Sequence, residues 1–162
     1  MKLDVRTLSR SAVIAAAYAA LSAVSSMFGL AYGPIQFRLS EALCVLPRRY
    51  PSAVAGVFLG CVLTNILSPY GFLDLVMGSL TTLLAALWSA RCRTDVGAAV
   101  PPVLLNALFI GLLLAWQETG GAGDAFFAAF AANALSVGLG QAAVCFGVGV
   151  PLLRLLAKYV RD

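Results

Sequence analysis

Five long stretches without a single charge organise this chain: residues 11–37, 50–73, 75–90, 96–117 and 125–153. Their apolar positions run continuously instead of alternating, which argues against a transmembrane β-barrel. A helix needs about 20 apolar residues to cross a bilayer, and each stretch reaches or approaches that length. The pattern predicts helices at about 8–30, 52–68, 71–91, 97–117 and 124–159, with a sixth, shorter one at about 38–48. Pro47 and Pro51 bracket "PRRYP" and predict a tight turn after that short helix. Gly138 and Gly140 fall in the middle of the last stretch, which predicts a helix either strongly tilted or broken there.

Composition extends the pattern to the whole chain. Of 162 residues, 61% are hydrophobic and only 11% are charged, where a soluble domain carries about 25% charge. No block remains for a soluble domain, so residues 1–162 read as one integral membrane domain. The basic residues at the start resemble a signal-peptide n-region, but the uncharged run behind them far exceeds the usual h-region of about 7–15 residues and reads as a retained helix. Cys44, Cys61, Cys92 and Cys145 stand singly and there is no histidine, so no metal or haem site is expected and the thiols read as buried and inert. The net charge of +4 comes from scattered basic residues without interleaved aromatics, which excludes a nucleic-acid surface.

Those basic residues instead report topology. Six crossings with an inside N-terminus place Lys2, Arg6, Arg10, Arg48, Arg49, Arg91, Arg93, Arg154, Lys158 and Arg161 on the cytoplasmic side. Arg38 is the sole basic residue left outside. The expected fold is therefore an all-α membrane protein of six transmembrane helices, the second one short, with both termini cytoplasmic. Glu41, Asp74, Glu118 and Asp124 lean outward, the last two in a solvated "QETGGAGD" loop.

Arg38 to Pro47 measures only about 15 Å as α-helix, half of the ~30 Å hydrocarbon core. With Arg48 and Arg49 at its inner end, the outer end stops below the surface, and the preceding segment must dip to meet it. Irregular backbone at that depth has to be covered by protein or line a wet cavity. An outward-facing pocket follows, with Arg38, Ser40 and Glu41 at its floor or wall, and Gln36 and Phe37 just before them as further candidates. Arg38 and Glu41 stand i, i+3 and can meet, either as a structural ion pair or as groups that grip a polar ligand.

Other polar residues fall at similar depth: Asn65, Asp74, Asn106 and Asn133. Asp74 also fits a helix N-terminus, and each asparagine fits an interhelical hydrogen bond. Tyr32, Tyr70 and Trp116 suit either an interface belt or a stacking face, and Phe72 lies beside them. In "SAVIAAAYAALSAVSS", Ala12, Ala16 and Ala20 recur every four residues, with Ala15 and Ala19 alongside. Such a flat stripe packs against this chain's own helices or docks a partner membrane protein. No phosphate-binding loop is present, so uphill transport would draw energy from a partner ATPase or an ion gradient.

"GPIQFRLSEALCVLP", followed by "AGVFLGCVLTN", "DLVMGSLTTLLAA" and "PPVLLNALFIG", resembles the QueT family. Those proteins are substrate-binding S components of energy-coupling-factor transporters for queuosine precursors. The resemblance runs over essentially the whole chain and is strongest from Gly33 to Ala86; Cys44 stands where a small polar residue is more usual. It implies a prokaryotic plasma-membrane subunit that works with a transmembrane coupling protein and two cytoplasmic ATPases. ATP is then used by those partners, and this chain needs no cofactor and catalyses nothing. The ligand would be a 7-deazaguanine base: queuine, or its aminomethyl or cyano precursor. Glu41 would accept the paired N–H donors of the base edge. Arg38 or Gln36 would donate to its carbonyl, Asp74 would meet a cationic amine, and Asn65 and Asn133 would complete the site. The helix-one alanines would form the coupling face. An S component for thiamine or folate shares this architecture; a membrane-embedded enzyme or a structural subunit fits less well.

Overall fold

The computed structural model describes residues 4–30, 36–66, 68 and 71–159. Among them all regular structure is helical, in six consecutive elements: α1 (Val5–Met27), α2 (Leu39–Arg48), α3 (Ala53–Asn65), α4 (Gly71–Ser89), α5 (Gly97–Thr119) and α6 (Phe126–Tyr159). The helices α1, α4, α5 and α6 are long and apolar enough to cross a membrane, while α3 has 13 residues.

One expectation changes, and one open alternative is decided. The short helix is present, but it is wound as a 3-10 helix over all ten residues. Its rise is then about 2.0 Å per residue and its length about 20 Å, longer than α-helical winding allows yet still short of a bilayer core. Runs of 3-10 helix beyond three or four residues are uncommon on their own; here Ser40 to Pro47 are all buried, so the packing around α2 sustains it. The last helix is not broken. It continues through one π turn at Cys145–Gly149, and its 34 residues, about 50 Å, exceed the bilayer core.

Glycine explains how the pieces approach. A Cβ on Gly60 would lie 2.6 Å from Tyr18 Cβ, and one on Gly56 2.8 Å from Ile14, so α3 presses directly onto α1. Small residues four apart allow that contact in lipid, where packing rather than the hydrophobic effect holds helices together. Gly149 and Gly140 perform the same service between α6 and α2. A Cβ at Gly149 would sit 2.8 Å from the Ala42 carbonyl oxygen, and one at Gly140 would overlap the Gln36 carbonyl. Gly140 is thus a docking point for the chain entering α2, not a hinge. α2 becomes the axis of the bundle, its Leu43, Val45 and Leu46 sharing a core with Tyr18, Val57 and Leu153.

At the basic end, Arg49 donates to both Asp95 oxygens, from Nε at 3.1 Å and Nη2 at 2.8 Å. Arg48 adds an ion pair to Asp95 at 3.3 Å and a bond to the Arg93 carbonyl at 2.6 Å. These contacts tie the α2–α3 turn to the α4–α5 loop. The Arg49 hydrogen bonds hold the Asp95 carboxyl below the usual carboxylate range.

Candidate functional site

The outside of the bundle is apolar, with Leu63, Leu84, Leu104 and Leu135 exposed, while its interior collects polar groups. Glu41, Asp74, Asn65, Asn106 and Gln141 are all buried. A buried carboxylate is costly unless it is paired or hydrogen-bonded. How each of the two acids is satisfied defines the site.

Glu41, at the first turn of α2, is 1% exposed and takes donors from three helices. Tyr18 Oη on α1 donates to Oε1. Cys44 Sγ on α2 itself lies 3.2 Å from Oε2, and Asn106 Nδ2 on α5 lies 3.4 Å from it. The Cys44 contact follows from 3-10 winding, which eclipses side chains at i and i+3. Cys145 Sγ on α6 closes the ring at 3.5 Å from the Glu41 carbonyl oxygen and also faces Gln141. Beside Glu41, Ser40 accepts a 2.7 Å bond from Ser22 of α1.

Asp74, in the first turn of α4, is the second centre. Its Oδ2 accepts from Ser68 and lies 3.8 Å from Arg38 Nη2. Its Oδ1 is buried and has no hydrogen bond among the described residues. Asn65 Nδ2, at the end of α3, lies 3.3 Å from both the Asp74 carbonyl and Cys61 Sγ. Cys61 in turn contacts Thr82 Oγ1 at 3.3 Å. A continuous polar seam therefore runs from Asn65 and Asp74 to Arg38 and on into α2.

The structure gives Arg38 a long-range partner in Asp74, where local spacing had suggested Glu41. The approach to α2 is pinned at both sides: Phe37 N donates to the Leu30 carbonyl at 2.8 Å and Leu39 N to Ser25 Oγ at 3.0 Å. Gln36 is buried, with its backbone against Gly140. Phe37 is half-buried.

Other expected residues lie elsewhere. Asn133 of α6 donates to Glu118 at 2.8 Å, in an exposed pair between the last two helices. Trp116 is half exposed and meets Phe126 edge-on with ring centroids 6.3 Å apart, and Phe72 is largely exposed. Tyr32 lies outside the described residues. Along α1, Ala12, Ala16 and Ala20 are exposed, Ala19 is half-buried, and Ala15 is buried, with its carbonyl 2.9 Å from a Cβ built on Gly60.

Sequence reasoning passed over Tyr18, Ser22, Ser68 and Gln141. The signal for Tyr18 was present: it is the one bulky polar side chain within "AAAYAAL". Gln141 likewise interrupts an otherwise apolar run. Ser68 had no signal, because its role depends on the turn that brings it to Asp74.

A family model described as "QueT transporter" matches residues 8–158. The Queuosine precursor transporter QueT of Lactococcus lactis subsp. cremoris (strain MG1363) is 36% identical over 73 residues. That alignment covers 45% of this chain and 43% of the relative, so the match spans less than half of each protein. No solved structure matches the chain.

Proposed function

Because this chain belongs to the QueT transporter family, we propose that it is the substrate-binding membrane subunit of an energy-coupling-factor transporter that imports queuosine precursors. The observation that carries the reading is Glu41, a carboxylate buried in the bundle and ringed by neutral donors from α1, α2 and α5. A guanine-like edge presents two adjacent N–H donors that one carboxylate accepts together. Tyr18 and Asn106 donate to those acceptor positions, and binding consists of exchanging one set of donors for the other. Such an exchange keeps the carboxylate satisfied throughout, which a buried charge requires.

Arg38 or Gln36 then donates to the carbonyl oxygen of the base. Asp74 receives the amine that queuine and the aminomethyl precursor carry, through the oxygen that lacks a hydrogen bond. Asn65 positions Asp74, and Ser40 and Phe37 border the entry. Asn133, paired with Glu118 on an exposed surface, would join only if α5 and α6 close over the ligand.

The energy comes from a coupling membrane protein and two cytoplasmic ATPases, which use ATP; this chain contributes binding, not catalysis. Exposure supports Ala12, Ala16 and Ala20 as the face that meets the coupling protein, since Ala15 is committed to α3. The basic clusters support a topology with both termini on the cytoplasmic side of the plasma membrane.

Thermal unfolding of the purified protein with queuine, its aminomethyl and cyano precursors, thiamine and folate tests the reading. Stabilisation by the deazaguanines is expected, and its loss in Glu41→Gln. Stabilisation by a vitamin alone would replace the substrate. Undiminished stabilisation of the Glu41→Gln protein by the bases would remove Glu41 from the site.

A further inference from the structure

The exchange of donors at Glu41 leaves one buried amide unused. Gln141 of α6 is 5% exposed and shares the inward face of that helix with Val137, Val144 and Cys145, whereas Leu135 and Leu139 are exposed. The residue before it fixes its depth: Gly140 sits against the Gln36 carbonyl, so Gln141 stands level with the chain entering α2. Its one side-chain hydrogen bond among the described residues comes from the Cys145 thiol, 3.6 Å from Oε1. Nε2 donates to no acceptor among the described residues. We propose that Gln141 is a further specificity-determining residue of the substrate site, donating from Nε2 to the carbonyl oxygen of the base, a role that rests on the deazaguanine reading above.

Availability, position and chemistry each support that role. An amide inside a transmembrane bundle ordinarily bonds across to a neighbouring helix, and a buried donor left without a partner is costly. Gln141 reaches only a thiol on its own helix, one turn on, and even that contact is shared. Cys145 carries a single S–H proton, yet its Sγ stands 3.5 Å from the Glu41 carbonyl oxygen as well as 3.6 Å from Gln141 Oε1. The amide can therefore turn to a ligand without abandoning a strong bond, whereas Arg38 is already paired with Asp74. The same contacts give its position: one sulfur atom separates the Gln141 amide from the Glu41 backbone. In a guanine-like edge the carbonyl adjoins the N–H pair that Glu41 accepts, and its oxygen offers two lone pairs. Arg38 or Gln36 donates to one of them and Gln141 to the other. An amino group in place of that oxygen would set donor against donor, so the Gln141 amide excludes adenine-like bases.

The test is isothermal titration calorimetry of the full chain in detergent, with the cyano-substituted deazaguanine base and its thiocarbonyl analogue. The analogue keeps every N–H donor and replaces the carbonyl oxygen with sulfur, a weak acceptor. The parent should prefer the oxygen base by about tenfold, the effect of one neutral hydrogen bond lost in a buried site. Gln141→Met keeps the length of the side chain and removes its donors. It should bind the oxygen base about tenfold more weakly than the parent does and the sulfur base nearly as well, so that the preference disappears. Its ligand-free unfolding temperature should be no lower than the parent's, because Nε2 gives up no bond to the described residues. Parent-like affinity of Gln141→Met for the oxygen base would overturn the proposal. So would a lowered unfolding temperature with equal weakening towards both bases, which marks a structural residue. Binding of neither base by the parent would instead overturn the deazaguanine reading itself, and the role of Gln141 with it.

Discussion

Replacing Gly140 with alanine adds one methyl group to the middle of α6, and elsewhere in an exposed helix that change is favourable by roughly 1 kcal/mol. Here the new Cβ would overlap the Gln36 carbonyl oxygen and lie 2.8 Å from its carbon. Carbon pairs prefer about 3.5–4.0 Å, so the neighbour would have to retreat by at least ~0.7 Å. A flexible side chain could rotate away, but this backbone carbonyl shares its peptide group with the Phe37 N–H bonded to Leu30, two residues before the Ser25–Leu39 bond, and cannot turn freely. Overpacking of this kind costs about 1–3 kcal/mol, and a rigid neighbour puts it at the upper end. After the helix-propensity gain, a net loss of about 2 kcal/mol is expected. At 2–4 °C per kcal/mol for a chain of this size, the unfolding temperature falls by roughly 4–8 °C. Two controls frame the assay. Gly138→Ala meets only Ala107 Cβ at 3.3 Å and should be nearly neutral, and Gly147→Ala meets nothing within 4 Å and should not destabilise. Ligand affinity should fall in Gly140→Ala alone, because the displaced segment leads into Arg38 and Glu41. Three variants with the same unfolding temperature and the same affinity would refute the close-approach reasoning.

Other variants probe separate parts of the bundle. Tyr18→Phe removes a donor from a buried carboxylate and should cost about 1–3 kcal/mol, read by denaturant unfolding; an unchanged midpoint would show that Glu41 does not depend on it. Asp95 has a depressed pKa, so its contribution is complete above its unfolded value of about 3.9 and is lost as pH falls through the lower folded value. Because the pair is solvent-screened, Asp95→Asn should cost less than about 1 kcal/mol at pH 7, and the gap between parent and variant should narrow as pH falls through the depressed folded value; a gap that does not narrow on acidification would contradict the pairing. Ala16→Trp adds bulk to an exposed position of α1. It should leave unfolding temperature and ligand affinity unchanged while preventing co-purification with the proposed coupling protein, and intact co-purification would move the docking face elsewhere.

The glycine at 140 also shows where reading along the chain stops. Gly138 and Gly140 sit together in one apolar run, and flexibility is the local inference for such a pair. Only the fold distinguishes them, since it seats a backbone carbonyl against one and a methyl group against the other. The alanines of α1 divide in the same way: their spacing is visible in the sequence, but the glycines of α3 decide that Ala15 faces inward while Ala12, Ala16 and Ala20 do not.

Arg38 carries the same lesson into the candidate site. Its spacing to Glu41 offered a partner within one turn of helix, whereas the α3–α4 turn brings in Asp74 from 36 residues away. With that pairing, Glu41 rests on neutral donors contributed by α1 and α5, which no spacing rule reaches.

What the sequence determined by itself were quantities that depend on each segment alone. Long uncharged runs dictate helices in a bilayer, because no other backbone satisfies its own hydrogen bonds there. The few polar residues among them mark a polar interior, because a charge left facing lipid is costly. What only the tertiary structure decided were the pairings: Arg38 with Asp74, Glu41 with Tyr18 and Asn106, and Gln36 against Gly140. The ten-residue 3-10 winding of α2 belongs with them. Each depends on which helix faces which at a given depth, and in lipid that choice rests on close packing between surfaces, a property of two segments together.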